Sequence, residues 1–381
     1  MKKSNALHWV GSIARTLLAL TFLFSGFVKA VDPLGTTYKI EDYLKAFGGF
    51  FTDLIPLAEA AAVCLIAIEF TLGFCMLLNV RTQWTSWLSL VFYTVMLPLT
   101  LYIAIANPVS DCGCFGDALV ISNWATFWKN VVLMTLVIIL LCTKRYIPQT
   151  FVLGVELGIA VIGLAIAGGI MLYTRTHLPL LDFRPYKIGN NIPELMEIPD
   201  DADPDQYTTT FIYEKDGVEQ EFTLDNYPKG DSTWTFVDQK STLIKKGYEP
   251  KIHDFEILTL DYDDITYDVL ESEVPVTLVI MYDLAKTDLR QIDKVNALYN
   301  ECIAKEEPFY ILTGSGEQDI ELFCFGIESD NRSNMLTPFN HPDMVFCTCD
   351  PVTLKTIVRA NPGVIVVENG TIIDKYNIRN R

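Results

Sequence analysis

Histidine is scarce in this chain, with four in 381 residues, at positions 8, 177, 253 and 341. No two of them stand at the spacing of a zinc-ligand pair, which excludes an ordinary structural or catalytic zinc site. Paired thiolates leave only a soft ion such as Cu(I) as a metal option. Charge is scarce in the first 176 residues, which carry 11 Lys/Arg against 9 Asp/Glu, a balance of +2. The remainder carries 18 against 38, a balance of −20. So acidic a half repels phosphate, and nucleic-acid binding is excluded as a function class.

What the first half has instead is long apolar runs. Five are long enough to cross a bilayer, near 8–31, 54–79, 84–107, 124–143 and 150–174. Lys2 and Lys3 precede the first, but the run is too long for a signal peptide and no A-x-A site closes it, so a retained span is expected. The basic residues Lys2, Lys3, Arg81, Lys144 and Arg145 fall on one side if the N-terminus is inside. The loops at 32–53 and 107–123, and everything after 175, then lie outside the cytoplasm. For a bacterial inner membrane that is the periplasm, where disulfides persist. Residues 38–51 read as an amphipathic segment on that surface, turning into the second span at Gly48-Gly49.

The loop between the third and fourth spans reads Asp111-Cys112-Gly113-Cys114-Phe115-Gly116-Asp117. A Cys-x-Cys disulfide closes a small ring and strains the geometry that a disulfide prefers. Gly113 is the residue able to supply the backbone angles of such a ring. Strained disulfides are the exchanging kind. Two free cysteines in a turn are the bland alternative. Cys64, Cys75 and Cys142 sit in or beside apolar helices and are expected to behave as small hydrophobes.

Charges inside spans are costly and usually paired. At about 1.5 Å rise per residue, Arg15 and Glu69 reach comparable depths, and a pair between them is expected. By the same arithmetic Lys29 and Glu59 both lie near the level of the cysteine loop. Glu59 is thus a candidate proton acceptor for the dithiol, or the neutraliser of Lys29. Gly154-x-x-x-Gly158 in the fifth span is spaced for close helix approach, and Glu156 is expected at the inner interface.

Residues 177–206 are rich in proline and acids and read as a linker. Alternating runs at 207–214 and 218–224 around Lys215-Asp216-Gly217 predict a hairpin. Trp234-Thr235-Phe236-Val237 predicts a third strand. From 249 strands and helices alternate: strands at 275–282, 308–313 and 343–347, helices at 287–305, 317–325 and 351–359, and a terminal hairpin at 363–368 and 371–376 turning on Asn369-Gly370. This order, with Asn361-Pro362-Gly363 before the hairpin and His253-Asp254-Phe255 at the entry, resembles a thioredoxin fold. The resemblance implies a cis Pro362 facing an active site. The Cys-x-x-Cys of that family is missing, however, for residues 282–288 read Tyr-Asp-Leu-Ala-Lys-Thr-Asp. Cys347-Thr348-Cys349 is a second Cys-x-Cys, between a strand and a helix whose N-terminus favours thiolate character. It is a candidate electron partner for Cys112 and Cys114, with a small structural disulfide as the alternative. Cys302 and Cys324 are expected in the core.

The membrane half resembles the DoxX/MauE superfamily through Arg15, the run Phe24-Ser25-Gly26-Phe27-Val28-Lys29, Glu59, Glu69 and Cys112-Gly113-Cys114-Phe115-Gly116. The last motif favours the MauE branch. The resemblance covers about 8–145 and implies a four-helix membrane domain over 1–145. A fifth helix over 146–176, a linker and small β unit over 177–248 and an extracytoplasmic α/β thioredoxin-like domain over 249–381 complete the expected architecture. MauE-like proteins are implicated in disulfide maturation of periplasmic partners, and some DoxX-like relatives in quinone-linked oxidation of sulfur compounds. The function that follows is a membrane thiol–disulfide redox protein acting on an extracytoplasmic protein client, with Cys112 and Cys114 cycling. Two other readings stand beside it. One is a quinone-linked subunit with Phe92, Tyr93 and Tyr102 lining a quinone pocket. The other is a membrane-anchored scaffold in an envelope complex.

Overall fold

The computed structural model describes residues 2–381 apart from 110, 205, 216, 225, 232, 246 and 326–342. Asp216 of the expected turn and His341 lie outside the described residues.

The first half consists of apolar helices, five of them long enough to span a membrane. Helix α1 runs Lys2–Val31 and α2 covers Pro33–Phe47, with Asp32 as its cap and Pro33 in its first turn, where a missing N–H costs nothing. A 3-10 stretch then leads into α3, Ala58–Leu77, followed by α4, Thr82–Ala106, α5, Asn123–Thr143, and α6, Leu153–Thr176. The amphipathic segment expected at 38–51 is thus α2 and the turn after it.

Glycine sets how helices α1 and α3 meet. A Cβ at Gly26 would stand 2.6 Å from the Phe70 backbone N, and one at Gly73 would stand 2.6 Å from the Leu23 backbone N. Neither position admits a side chain without separating the helices. The register fixed this way puts Glu69 beside Ser25 and Lys29, one helix turn or more away from Arg15. On α6, the glycines in contact differ from those expected: Gly163 faces Phe74, whereas Gly154 and Gly158 have nothing within 4 Å of a Cβ. Glu156 is buried and bound by Arg81 at 2.5 Å and Gln149 at 3.1 Å.

After α6 come the short α7, Ile192–Met196, and a three-stranded antiparallel sheet of β1, Gln206–Lys215, β2, Val218–Thr223, and β3, Thr235–Lys245, ordered β2-β1-β3. Its rings pack on one another, Tyr213 against Phe222 and Phe236, and Phe222 against Trp234.

The last part is an α/β domain. Its elements are β4, Leu258–Thr259, α8, Thr266–Leu270, β5, Val276–Ile280, α9, Ile292–Lys305, and β6, Phe309–Thr313. They continue with α10, Glu317–Phe325, β7, Val345–Thr348, α11, Pro351–Ile357, β8, Gly363–Glu368, and β9, Thr371–Asn377. The sheet order is β4-β7-β6-β5-β8-β9. Strands β5, β6 and β7 run parallel, and β8 and β9 antiparallel to their neighbours. All five residues of β5 are buried, as a central strand covered on both faces requires. The bond Asn361–Pro362 is cis.

The stretch expected as a linker is largely part of this domain. Tyr186 and Ile192 are buried in its core. The backbone at 189–192 joins the start of β9, Gly189 N donating to Ile372 O and Ile192 N to Gly370 O, both at 2.8 Å. Arg184 and Lys375 share the Asp182 carboxylate, Nε at 2.8 Å and Nζ at 2.6 Å. Proline and acid content marked this segment as irregular but carried no sign that its few apolar residues reach the core.

Candidate functional site

A cavity of about 400 Å³ lies where the helix bundle meets the α/β domain. Its floor holds Cys112 and Cys114. Their Sγ atoms are 2.8 Å apart, and both cysteines are free. The loop that carries them depends on Gly113, whose φ of +65° lies in the left-handed region. A Cβ there would stand 2.8 Å from the Lys39 side chain. The Asp111 carboxylate accepts from Gly113 N at 2.7 Å and from Lys39 Nζ at 2.8 Å, closing the turn.

The two backbone carbonyls of the pair are held by different helices. Tyr43 Oη on α2 donates to Cys112 O at 2.6 Å. Lys29 Nζ on α1 donates to Cys114 O at 2.8 Å, to Glu69 Oε2 at 2.7 Å and to Ser25 Oγ at 2.6 Å. Ser25 Oγ lies 2.7 Å from Glu69 Oε2 and 2.8 Å from Cys114 O, with one hydrogen to give to either. Lys29 thus spends all three donors, as a buried ammonium must. The ion pair that neutralises the bundle also fastens the cysteine loop to it.

This corrects the pairings expected from depth. Glu69 is the partner of Lys29, and Arg15 instead donates to Met76 O at 2.6 Å, a carbonyl at the end of α3 that also accepts from Asn79 N at 3.2 Å. Glu59 pairs with Arg175 at 3.1 Å, where both are exposed, and does not line the cavity. The rise per residue gave the depth of each charge, but only the contact of α1 with α3 through Gly26 and Gly73 decides which charges meet. Phe92 and Tyr93 line the cavity; Tyr102 packs on Phe47 at 5.6 Å instead.

The sulfurs differ in environment. Cys112 is buried and Cys114 is half-buried. The hydrogen bond from Cys112 pulls the Cys114 thiol down, aided by the Lys129 and Lys29 charges and opposed by burial. The same bond, with burial, pushes Cys112 up. The pair therefore shares its acidity unequally, with the thiolate on Cys114. Burial also raises the Tyr43 phenol, which stays a donor to the loop.

The second Cys-x-Cys lies elsewhere. Cys347 and Cys349 are in the domain core, and Cys349 lines a separate groove of about 660 Å³ that shares no lining residue with the dithiol cavity. The thiolate character expected there is reversed: burial pushes Cys347 up to about 11 and Cys349 up to about 12. The N-terminus of α11 is capped by the Asp350 carboxylate, which accepts from Thr353 N at 2.7 Å and takes the place a thiolate would need. Pro362 lies in neither cavity. Its neighbour Asn361 is tied to the 283–288 loop, Nδ2 donating to Asp283 O at 2.7 Å and O accepting from Asp288 N at 3.0 Å.

Two features of the site escaped the sequence reading. One is Lys129 on α5, whose Nζ stands 4.4 Å from the Phe115 ring centroid. The other is the roof, where Arg359 binds Asp32 at 2.8 Å and Asp117 at 3.7 Å. Lysine in an otherwise apolar helix is a signal that could have found the first. Nothing local marks the second.

Residues 7–143 match the family model of Methylamine utilisation protein MauE. Residues 207–246, the small antiparallel sheet, match a domain of unknown function, DUF8463. No curated protein and no solved structure matches the chain. This is a membrane protein whose helical bundle is similar to MauE across the region that carries Lys29, Glu69 and both loop cysteines.

Proposed function

We propose that this protein is a membrane thiol–disulfide redox protein in which Cys112 and Cys114 alternate between dithiol and disulfide on the extracytoplasmic side of a bacterial inner membrane. The observation that carries the reading is the 2.8 Å approach of the two sulfurs in a turn that Lys29, Tyr43 and Asp111 hold in place. A site this preorganised holds the two sulfurs within about 1 Å of bonding distance before the bond forms. In the oxidising direction, a partner dithiol gives up two electrons and two protons and leaves as a disulfide, and the loop pair becomes the dithiol. Regeneration needs a two-electron acceptor. A lipid-soluble quinone suits the apolar wall of the cavity, where Phe22, Leu65, Phe92 and Met96 stand.

The thioredoxin-like domain then serves as cover and binding surface, because it carries no cysteine in the 282–288 loop and its Cys347 and Cys349 thiols are buried and protonated.

The test is differential alkylation with mass spectrometry in isolated membranes. Reversible oxidation of Cys112 and Cys114 is expected, with Cys112→Ser or Cys114→Ser trapping a mixed disulfide with the partner. A loop pair that stays reduced under oxidant, or stays oxidised through mild reductant, would defeat the proposal.

A further inference from the structure

Resting on that reading, we infer that Lys129 is a positioning residue that sets Cys114 as the attacking sulfur of the pair. Charged groups face the dithiol from each packed element. On α1 and α3, Lys29 and Glu69 neutralise one another at 2.7 Å. On α2, Lys39 is matched by Asp111 of the cysteine loop at 2.8 Å. Above, Arg359 of the α/β domain is matched by Asp32, with Asp117 behind it. Tyr43 on α2 and Tyr93 on α4 contribute phenols to the same cavity.

Two lining lysines have no carboxylate within 4 Å among the described residues, Lys129 and Lys355. Lys355 stands at the rim over the rings of Tyr38 and Tyr282, at 5.1 and 5.9 Å. Lys129 stands over Phe115, the residue after Cys114, and Phe115 is itself wedged against Phe24 at 5.3 Å. The tilted pair of rings seats the ammonium in the cavity that holds the dithiol. A half-buried lysine on a membrane helix with no counter-charge is expensive unless it meets a negative charge that forms in use. The Cys114 thiolate is that charge. Cys114 gives its proton to water in the cavity, and the resulting anion lies in the field of Lys129, whereas the field of Lys29 is offset by Glu69.

The test reads nucleophilicity directly, without a partner or an electron acceptor. In the full-length protein in nanodiscs, with Cys112→Ser as background, the rate of Cys114 alkylation by iodoacetamide is followed from pH 5 to 9 by peptide mass spectrometry. The thiolate displaces iodide and a thioether forms. Lys129→Gln is expected to move the half-point of the profile upward by about one pH unit, a roughly tenfold slower reaction on the acidic side. Lys129→Arg is expected to keep the original profile, and Lys355→Gln to leave it in place. An unmoved profile in Lys129→Gln overturns the inference, and so does a shift in Lys355→Gln as large as that in Lys129→Gln. Lys129→Arg also controls for folding: a profile displaced with it as far as with glutamine means that shape, not charge, is at work, and overturns the inference too. The thioether profile moves whether or not the pair cycles in membranes, so a failure here is distinct from a failure of the redox reading.

Discussion

Arg359 lays its guanidinium across the Asp32 carboxylate, Nε 3.1 and 3.0 Å from the two oxygens and Nη2 2.8 Å from Oδ2. Asp32 also caps α2, accepting from Gly35 N at 3.0 Å. One carboxylate therefore both starts the helix that holds the Cys112 carbonyl and anchors the α/β domain above the cavity. Arg359→Gln is expected to open the roof and leave the pair in place. A bulky maleimide-polyethylene glycol should then label Cys114 several-fold faster, while labelling by small iodoacetamide changes little. Equal acceleration of both reagents would mean that the cover does not govern entry.

The same contact predicts an acid limb. Although burial alone would raise it, the Arg359 charge and hydrogen bonds hold the Asp32 carboxyl below its ordinary value. A carboxyl depressed in the folded state contributes stability that is fully present above its unfolded pKa of about 4 and is lost as pH falls through the folded value. Asp32→Asn should therefore lower the thermal midpoint at pH 7, by the equivalent of about 1–3 kcal/mol for one partner of a partly buried pair. The mutant and wild-type midpoints should converge below about pH 4. Curves that stay parallel to pH 3 would show that the pair is not the source.

Lys29 and Glu69 are each about nine-tenths or more buried, with side chains 6 and 4% exposed. Removing one partner leaves the other charged in the bundle, so Lys29→Met and Glu69→Leu should each destabilise by about 3–5 kcal/mol. The double variant should recover much of that loss in a thermal-shift assay in detergent. Its cysteine loop should nonetheless oxidise more slowly, because Cys114 O has lost its ammonium donor. Additive losses would disprove the coupling.

Gly113→Ala forces a side chain into the left-handed region, at roughly 1–2 kcal/mol, and against Lys39. The loop then has to move, and disulfide formation between Cys112 and Cys114 should slow at least several-fold by quantitative alkylation. Gly116→Ala carries the same left-handed backbone strain, at φ +51°, but meets only a Val28 methyl at 3.2 Å, and so separates that strain from the contact with Lys39.

Cys347 and Cys349 should resist iodoacetamide at pH 8 until the α/β domain unfolds, since both are buried and protonated. Cys347→Ser with Cys349→Ser should leave the redox titration of Cys112 and Cys114 unchanged. A shifted titration would restore the relay between the two motifs.

The elements that depend on local pattern were legible in the chain. Apolar runs of membrane length became five helices, the Asn369-Gly370 turn closes β8 on β9, and the Cys112–Cys114 turn sits where a loop between spans had to be. Helix 317–325 and both strands of the last hairpin fall within a residue of their expected bounds. What was not legible is which faces meet. Depth along a helix is a one-dimensional quantity, and it paired Lys29 with Glu59 because it carries no information on rotation. Gly26 and Gly73 held that information, but only as two small residues among many. The Arg359–Asp32 contact spans 327 positions and leaves no periodicity at either end.

The chain between α6 and the α/β domain is short. Helix α6 ends at Thr176, and by Asp182 the backbone is already locked to the domain through Arg184 and Lys375. Five residues, 177–181, join the two, at most about 17 Å of extended chain, and within them Leu178 packs against the domain core. A leash of that length holds the cover at an effective concentration on the order of millimolar over the dithiol. The interface can therefore be weak by the standards of separate proteins and still stay closed, opening often and reclosing before a competitor arrives. Cut free at the leash, the same domain at micromolar concentration would leave the cavity uncovered.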